Sequence, residues 1–403
     1  MRVLALCTWS PYPPDNGSKI RAHYLLRALA KRHEVEAIAF CPDGHTERWP
    51  DPLPGLEGVR LHPIEEDPFR YVHAPRIMKY LSPIPLALWP SRRMQRAVRE
   101  LMRGAAYDLI VAIEPPAATY AFGASPATLV LDVGNSLSFQ GRERYLSSNR
   151  GTLRTYLSWQ KSMAAERRLF RCFDACTLCS ANELPYIRQL VRETDCHVSL
   201  IPNGVDCRHH LPGTERGRAK RLIYTGSLTY SANYDAMHYF LTEIYPLVRK
   251  DEPGLSLVIT GSTKGVRLAG LGLDDSVYLT GYVDDIRPWV QGSLACVVPL
   301  REGGGTRIKI LEAMALGTPV IATTKGAEGL EIEPEEHFLI ADDPVGFARE
   351  TVRLIRDEKL WRRMVTQARC LVEQRYDWGG IGQRFVDLVE ATVERHKRRG
   401  DAG

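Results

Sequence analysis

The sequence predicts an α/β protein made of two successive doubly wound domains, and three observations carry that prediction. Short, almost wholly apolar runs alternate with segments of helical period along the chain, the pattern of parallel strands buried on both faces. At 403 residues the chain is about twice a typical single domain. A polar, basic run over 206–220, containing Gly and Pro, divides the alternation into two halves without sequence repetition. That argues for two domains and against one barrel.

The elements follow in order. A strand over 2–8 leads into a turn-rich loop from Trp9 to Gly17. Ser18 can then cap a helix in which Ile20, Leu25, Leu26 and Leu29 keep helical spacing. Further strands are expected at 35–40, 59–62, 109–113, 128–132, 175–178 and 197–201, with helices at 152–171 and 182–192. The first loop lies at the carboxyl end of its strand, where open α/β sheets bind ligands, but no G-x-G-x-x-G marks a dinucleotide site. The second half has strands at 221–225, 256–260, 277–280, 294–299 and 338–341, and one more closing the stretch 297–323. Its helices are expected at 233–249, 285–291, 306–316, 344–356, 359–375 and 381–398. The expected domains are therefore 1–205 and 221–378, joined by the linker 206–220. Residues 379–403 supply a last helix, able to pack back on the first domain, and a polar tail.

Composition narrows the function. With 44% hydrophobic and 25% charged residues the chain is ordinary globular material, and a net charge of +5 is small for this size. No concentrated basic face with interleaved aromatics appears, so nucleic acid is not an expected partner. Nine scattered cysteines fit reduced thiols in a cytoplasmic protein better than a disulfide framework. Cys172, Cys176 and Cys179 have radical-SAM spacing, but they run from a helix end into an apolar strand, where buried thiols are expected instead. The start MRVLALCTW is too short an apolar run for a signal peptide, and no run reaches the roughly 18–20 residues that span a bilayer. Two readings stand for the basic segment 91–103: a solvated helix face, and peripheral contact with the inner membrane face.

The stretch 297–323, VVPLREGGGTRIKILEAMALGTPVIAT, carries the most chemistry. Gly303, Gly304 and Gly305 precede a helix from Thr306, and glycines there let the backbone approach a ligand and aim unpaired N–H groups at it. Such a helix start favours phosphate. Arg307 and Lys309 add cations in the first turn, where the helix dipole alone prefers acids, so the expected guest is strongly anionic. Glu312 follows one turn later; a carboxylate can accept two adjacent hydroxyl protons, and the plainer reading is a surface pair with Lys309. Gly17 with Ser18, and Gly226 with Ser227, offer smaller turns after the first strand of each half. Asp132, Asn135 and Ser136 follow the strand 128–132 and read equally well as ligand contacts or as a helix-capping turn. No D-x-D and no convincing metal-ligand cluster occurs, so no metal is expected.

PLREGGGTRIKILEAMALGTPVIATTKGAEGL (299–330) resembles the nucleotide-sugar site of the retaining family 4 glycosyltransferases, which have the two-domain GT-B fold. VSLIPNGVD (198–206), LIYTGSLTYSANYDAM (222–237) and VYLTGYVDDI (277–286) look like further landmarks in the same order. SPYPPDNGSKIRAHYLLRALA (10–30) looks like the glycine loop and first helix of the acceptor-side domain. LVLDVGNSLSFQGRERY (129–145) resembles a segment of a branch tied to surface polysaccharide synthesis. The resemblance implies Rossmann-like domains facing across a cleft, with transfer of a sugar from a nucleoside-diphosphate sugar to a carbohydrate or lipid-linked acceptor. Configuration would be retained, in exopolysaccharide or other glycoconjugate synthesis. It implies Glu312 on the ribose and Arg307 and Lys309 on the diphosphate, with the Gly17 loop and the loop 303–306 closing on the donor. Many members carry an Arg and a Lys after the first strand of the second domain, whereas this chain has Gly226-Ser227-Leu228-Thr229-Tyr230, so Arg307 and Lys309 are expected to take over that role. A first glutamate often stands eight positions before the second; here that position is Gly304, and Glu302 is the nearest carboxylate. A nucleotide-sugar epimerase of the same fold, or a silent donor-binding subunit, are the alternatives.

Overall fold

A computed structural model describes the chain except residues 43–48, 70–81, 83, 123–126, 148–151, 214–218, 304–306 and 402–403. The chain forms two compact units, 1–202 with 381–403 as unit 1, and 203–380 as unit 2. Each is one parallel sheet with helices.

Unit 1 holds seven strands, β1 (Arg2–Cys7), β2 (Glu34–Phe40), β3 (Val59–Ile64), β4 (Leu109–Ile113), β5 (Thr128–Gly134), β6 (Ala175–Leu178) and β7 (His197–Leu200). Their order is β3-β2-β1-β4-β5-β6-β7. Sheet order therefore reverses between β1 and β4, which pair in register Val3 to Leu109 through Cys7 to Ile113. Val3 to Leu6 and Leu109 to Ala112 are almost completely buried, because a parallel sheet covered on both faces leaves no solvent side. Unit 2 repeats the scheme with β8 (Arg221–Thr225), β9 (Ser256–Thr260), β10 (Val277–Gly281), β11 (Ala295–Val298), β12 (Val320–Ala322) and β13 (Leu339–Ile340). The order β10-β9-β8-β11-β12-β13 reverses between β8 and β11. Every strand expected from the apolar runs is present, within two residues at either end.

Helices differ more. Asn16, not Ser18, caps the first helix, Gly17–Ala30, its side chain accepting from the Lys19 N–H. The continuous helix expected at 233–249 is Ser231–Tyr239, a π-helical turn Phe240–Ile244, and Tyr245–Asp251. Pro246 explains the interruption: it has no N–H for the α-helical ladder, and the wider turn before it absorbs the lost bond. A second π-helical turn, Val372–Tyr376, ends the helix Glu358–Leu371. The basic segment forms Arg92–Gly104, capped by Ser91, with Met94 and Val98 buried and the arginines 92, 93, 96, 99 and 103 exposed. No described helix is long and apolar enough to cross a membrane.

Candidate functional site

In unit 2 the site is built where the sheet order reverses, at the carboxyl ends of β8 and β11, the position at which open α/β sheets bind ligands. Helix Ile308–Ala315 starts here with Arg307, not Thr306, as its N-terminal boundary residue. Lys309, in its first turn, folds back toward β8. Its Nζ lies 4.0 Å from the ring centroid of the fully buried Tyr224 and donates to Asn233 Oδ1 at 3.2 Å. Asn233 is fixed on both sides: the Tyr224 hydroxyl donates to its Oδ1 at 2.7 Å, and its Nδ2 donates to the Ser227 carbonyl at 2.8 Å.

Gly226 makes the approach feasible. A Cβ there would fall 2.8 Å from Lys309 Nζ and 2.9 Å from Asn233 Nδ2, at φ +148°. Beneath it, a Cβ on Gly261 would fall 2.6 Å from the Gly226 carbon, so the ends of β8 and β9 touch backbone to backbone. Ser227 is occupied in this loop, its hydroxyl 2.7 Å from that of Thr229 and 3.0 Å from the Ser262 carbonyl.

Lys309 and Glu312 stand one turn apart, and no ion pair joins them among the described contacts, contrary to the plainer reading of Glu312. Burial pushes the Lys309 ammonium down to about 7, with Cys296 and Glu312 opposing that and Arg307 adding to it. Burial pushes the Glu312 carboxyl up to about 7 against the pull of Lys309. Both groups are thus held in an environment that disfavours their own charge. Arg307 is buried and partly engaged in the fold: its Nη2 donates to the Gly303 carbonyl at 2.9 Å and the Lys325 carbonyl at 3.1 Å, and Glu328 is 4.0 Å away. Gly303, at φ +98°, brings the loop against Ala232 and Tyr230. Glu302 is exposed, beside the Arg301–Asp235 ion pair. Gly304, Gly305 and Thr306 lie outside the described residues.

The candidates in unit 1 stand differently. Asp132 is completely buried at the end of β5, where Arg21 donates from Nε at 2.7 Å and from Nη2 at 2.6 Å, and Thr177 donates at 2.5 Å. Its carboxylate is taken up in a bidentate structural pair that ties the first helix to β5 and β6. That corrects the expectation that Asp132 faces a ligand. Ser136 is also buried: its N–H donates to Glu183 and its hydroxyl to Glu166. Glu166 in turn accepts from the N–H groups of Leu137 and Ser138, closing the start of helix Leu137–Ser147 from the next helix. Gly17 is exposed and Ser18 half-buried in the first turn of their helix. Cys176 lies inside β6, and Cys179 donates to the Gly134 carbonyl at 2.9 Å, as expected of buried thiols, whereas Cys172, just after the preceding helix, is exposed and departs from that expectation. Among the described residues no three His, Cys, Asp or Glu side chains are grouped to hold a metal ion.

Sequence reasoning passed over Asn233 and Tyr224, whose one signal was their place around the first βα loop of unit 2.

Comparison with known proteins agrees with this architecture. Residues 15–209 match the family model described as Glycosyltransferase Family 4, and residues 219–357 the one described as Glycosyl transferases group 1. Mannosylfructose-phosphate synthase of Agrobacterium fabrum is 25% identical over 223 residues, 49% of this chain and 48% of that protein. The chain spans about half the length of the curated relatives it matches. Among solved structures, sucrose-phosphate synthase of Thermosynechococcus elongatus superposes with a TM-score of 0.75 at 18% identity, covering 98% of this chain and 99% of that one. Anabaena HepE in complex with UDP and glucose gives 0.68 at 16% identity, covering 97% and 100%. The fold is GT-B, and the paired family matches support a glycosyltransferase of the family 4 type.

Proposed function

We propose that this chain, of the family 4 type and GT-B fold, moves a sugar from a nucleoside-diphosphate sugar to a hydroxyl of a carbohydrate or lipid-linked acceptor, with retention of configuration. Bacterial exopolysaccharide or a related glycoconjugate is the destination of that sugar. The observation that carries the reading is Lys309, folded under Gly226 at the β8–β11 reversal and without a carboxylate partner among the described residues. A desolvated ammonium beside a glycine loop is arranged for an anion that arrives with the substrate.

In this reading Lys309 and Arg307 carry the charge of the departing diphosphate, and Glu312 accepts the two ribose hydroxyls. The bond from the anomeric carbon to the phosphate oxygen breaks with its electron pair leaving on the diphosphate. The acceptor oxygen bonds to that carbon from the same face, and its proton passes to the leaving phosphate. No protein nucleophile is required. Helix dipole alone supplies about 0.3–2 kcal/mol, against the roughly 8 kcal/mol or more that enzymatic acceleration demands. Fixed cations at the leaving group therefore carry more of the stabilisation than the helix start does. Lys309 supports the transfer of role from the loop after β8 more strongly than Arg307, which is partly engaged with backbone carbonyls. The exposed arginine row of helix Arg92–Gly104 suits peripheral contact with an anionic membrane face, where a lipid-linked acceptor would reside.

UDP, bound by HepE, is the first nucleotide to test, with GDP second. Calorimetry with both, on wild type and on Arg307→Ala combined with Glu312→Gln, tests the site. The double variant is expected to lose most nucleotide affinity and turnover; retention of both would remove the site assignment. NMR of the product's anomeric centre reads retention directly, and donor conversion without any acceptor would point to an epimerase instead.

A further inference from the structure

Glu114 follows β4 with φ 71° and ψ 149°. That region of backbone space is essentially reserved for glycine, and a side chain held there is strained. The only other non-glycine residue with positive φ among those described is Glu335, an exposed glutamate that pairs with Arg353 at 2.7 Å. Glu114 is half-buried and forms no ion pair among the described contacts. Its backbone is locked, the N–H donating to the Asp132 carbonyl at 2.8 Å and the carbonyl accepting from Ala117 at 3.1 Å, with Pro115 next in the chain. A glycine would satisfy this turn with less strain, so the side chain is what the position retains.

Its location is the second observation. β1 and β4 flank the reversal of sheet order in unit 1, where such sheets bind ligands. Glu114 stands at the carboxyl end of β4, near Thr8 at the end of β1 and Ser18 in the first turn of the helix that follows β1. The groups facing it are Asp132 from β5, Arg21 from the first helix and Cys7 from β1. Arg21 is already committed to Asp132 at 2.6 Å, so among the described residues the Glu114 carboxyl meets the hydroxyls of Ser18 and Thr8 directly and Arg21 only through its field. Such a setting suits a neutral, hydroxyl-bearing guest better than an anion.

We propose that Glu114 is the specificity-determining residue with which unit 1 hydrogen-bonds a hydroxyl of the sugar acceptor. This rests on the transferase reading and extends it to a residue of the acceptor side. Burial pushes the Glu114 carboxyl up to about 7, with Ser18, Arg21 and Thr8 drawing it down and Asp132 adding to the rise. Near neutral pH the carboxyl therefore exchanges between accepting and donating roles toward that hydroxyl.

The experiment uses the full chain, UDP-glucose or GDP-mannose as donor, and octyl glycosides as acceptors. Glu114→Gly is expected to melt at or above the wild-type temperature and to bind UDP unchanged, while acceptor KM rises about tenfold or more. Glu114→Gln keeps the size and is expected to flatten the dependence of acceptor KM on pH between about 6 and about 8. Transfer by the wild type with acceptor KM and its pH profile unchanged in both variants overturns the role of Glu114 alone. A wild type that transfers to no acceptor overturns the transferase reading, and the role of Glu114 falls with it.

Discussion

The two units solve the same topological problem with opposite chemistry. In each, the sheet order reverses once, between β1 and β4 in unit 1 and between β8 and β11 in unit 2. At the unit 1 reversal the neighbouring charges are matched internally, Asp132 against Arg21, and the remaining group is the carboxyl of Glu114. At the unit 2 reversal the chain thins to Gly226 and Gly261, and a lysine fills the space a Cβ would need. Topology sets where a crevice opens; loop residues decide what it will accept. By this contrast the unit 1 reversal presents a carboxyl among hydroxyls, and the unit 2 reversal an ammonium under a glycine.

Asp132→Ala is the harshest way to break the comparison. It leaves Arg21 buried without its counter-charge and should cost about 3–5 kcal/mol in urea unfolding. An Asp132→Ala protein of wild-type stability that has lost activity would make Asp132 a ligand-facing residue after all.

Lys309→Met removes the corresponding charge from unit 2. Because burial disfavours its ammonium, thermal stability should hold or rise, while UDP affinity falls about 10- to 100-fold, the scale of one charge-assisted hydrogen bond of about 1.5–3 kcal/mol. A stability loss without an affinity loss would assign Lys309 to the fold.

pH sharpens the same contrast. The Lys309 value is depressed from 10.5 to about 7, so its contribution to stability is complete above 10.5 and is lost as pH falls toward about 7. The Glu312 value is raised from 4.5 to about 7, so its contribution is complete below 4.5 and is lost as pH rises through about 7. Both groups thus strain unit 2 most near neutrality. UDP binding that requires the ammonium should weaken as pH rises above about 7, with proton uptake visible by calorimetry in buffers of different ionisation enthalpy. Flat affinity between about pH 7 and about pH 9 would separate Lys309 from the nucleotide.

Gly226→Ala should act more gently, displacing the flexible end of Lys309 and weakening UDP about tenfold. Glu302→Gln, at an exposed position, should change UDP affinity less than about threefold; a larger effect would bring Glu302 to the donor.

The strands were legible because burial on both faces writes itself as unbroken apolar runs, as in Leu109 to Ile113. The Arg307, Lys309, Glu312 spacing singled out the helix start after β11 in the same local way. Long-range partnerships were not legible. Arg21 and Asp132 are 111 residues apart, and Lys309 and Asn233 are 76 apart, so nothing local records either pairing. Asp132 read equally as a ligand contact or as part of a capping turn, because a carboxylate after a strand looks alike whether it meets solvent or a buried guanidinium. The left-handed backbone of Glu114 was hidden for a similar reason, since a glutamate in sequence does not disclose its φ.

The helix Trp378–Asp401 has a bearing on synthesis. From Ile381 onward it belongs to unit 1, burying Ile381, Phe385, Val386, Val389 and Val393, with Gly382 close against Ala28 of the first helix. Unit 1 begins the chain, yet this part of its apolar surface is sealed only after all of unit 2 has been made. On the ribosome the second unit can therefore complete its core first, and the first waits, partly uncovered, for its closing helix.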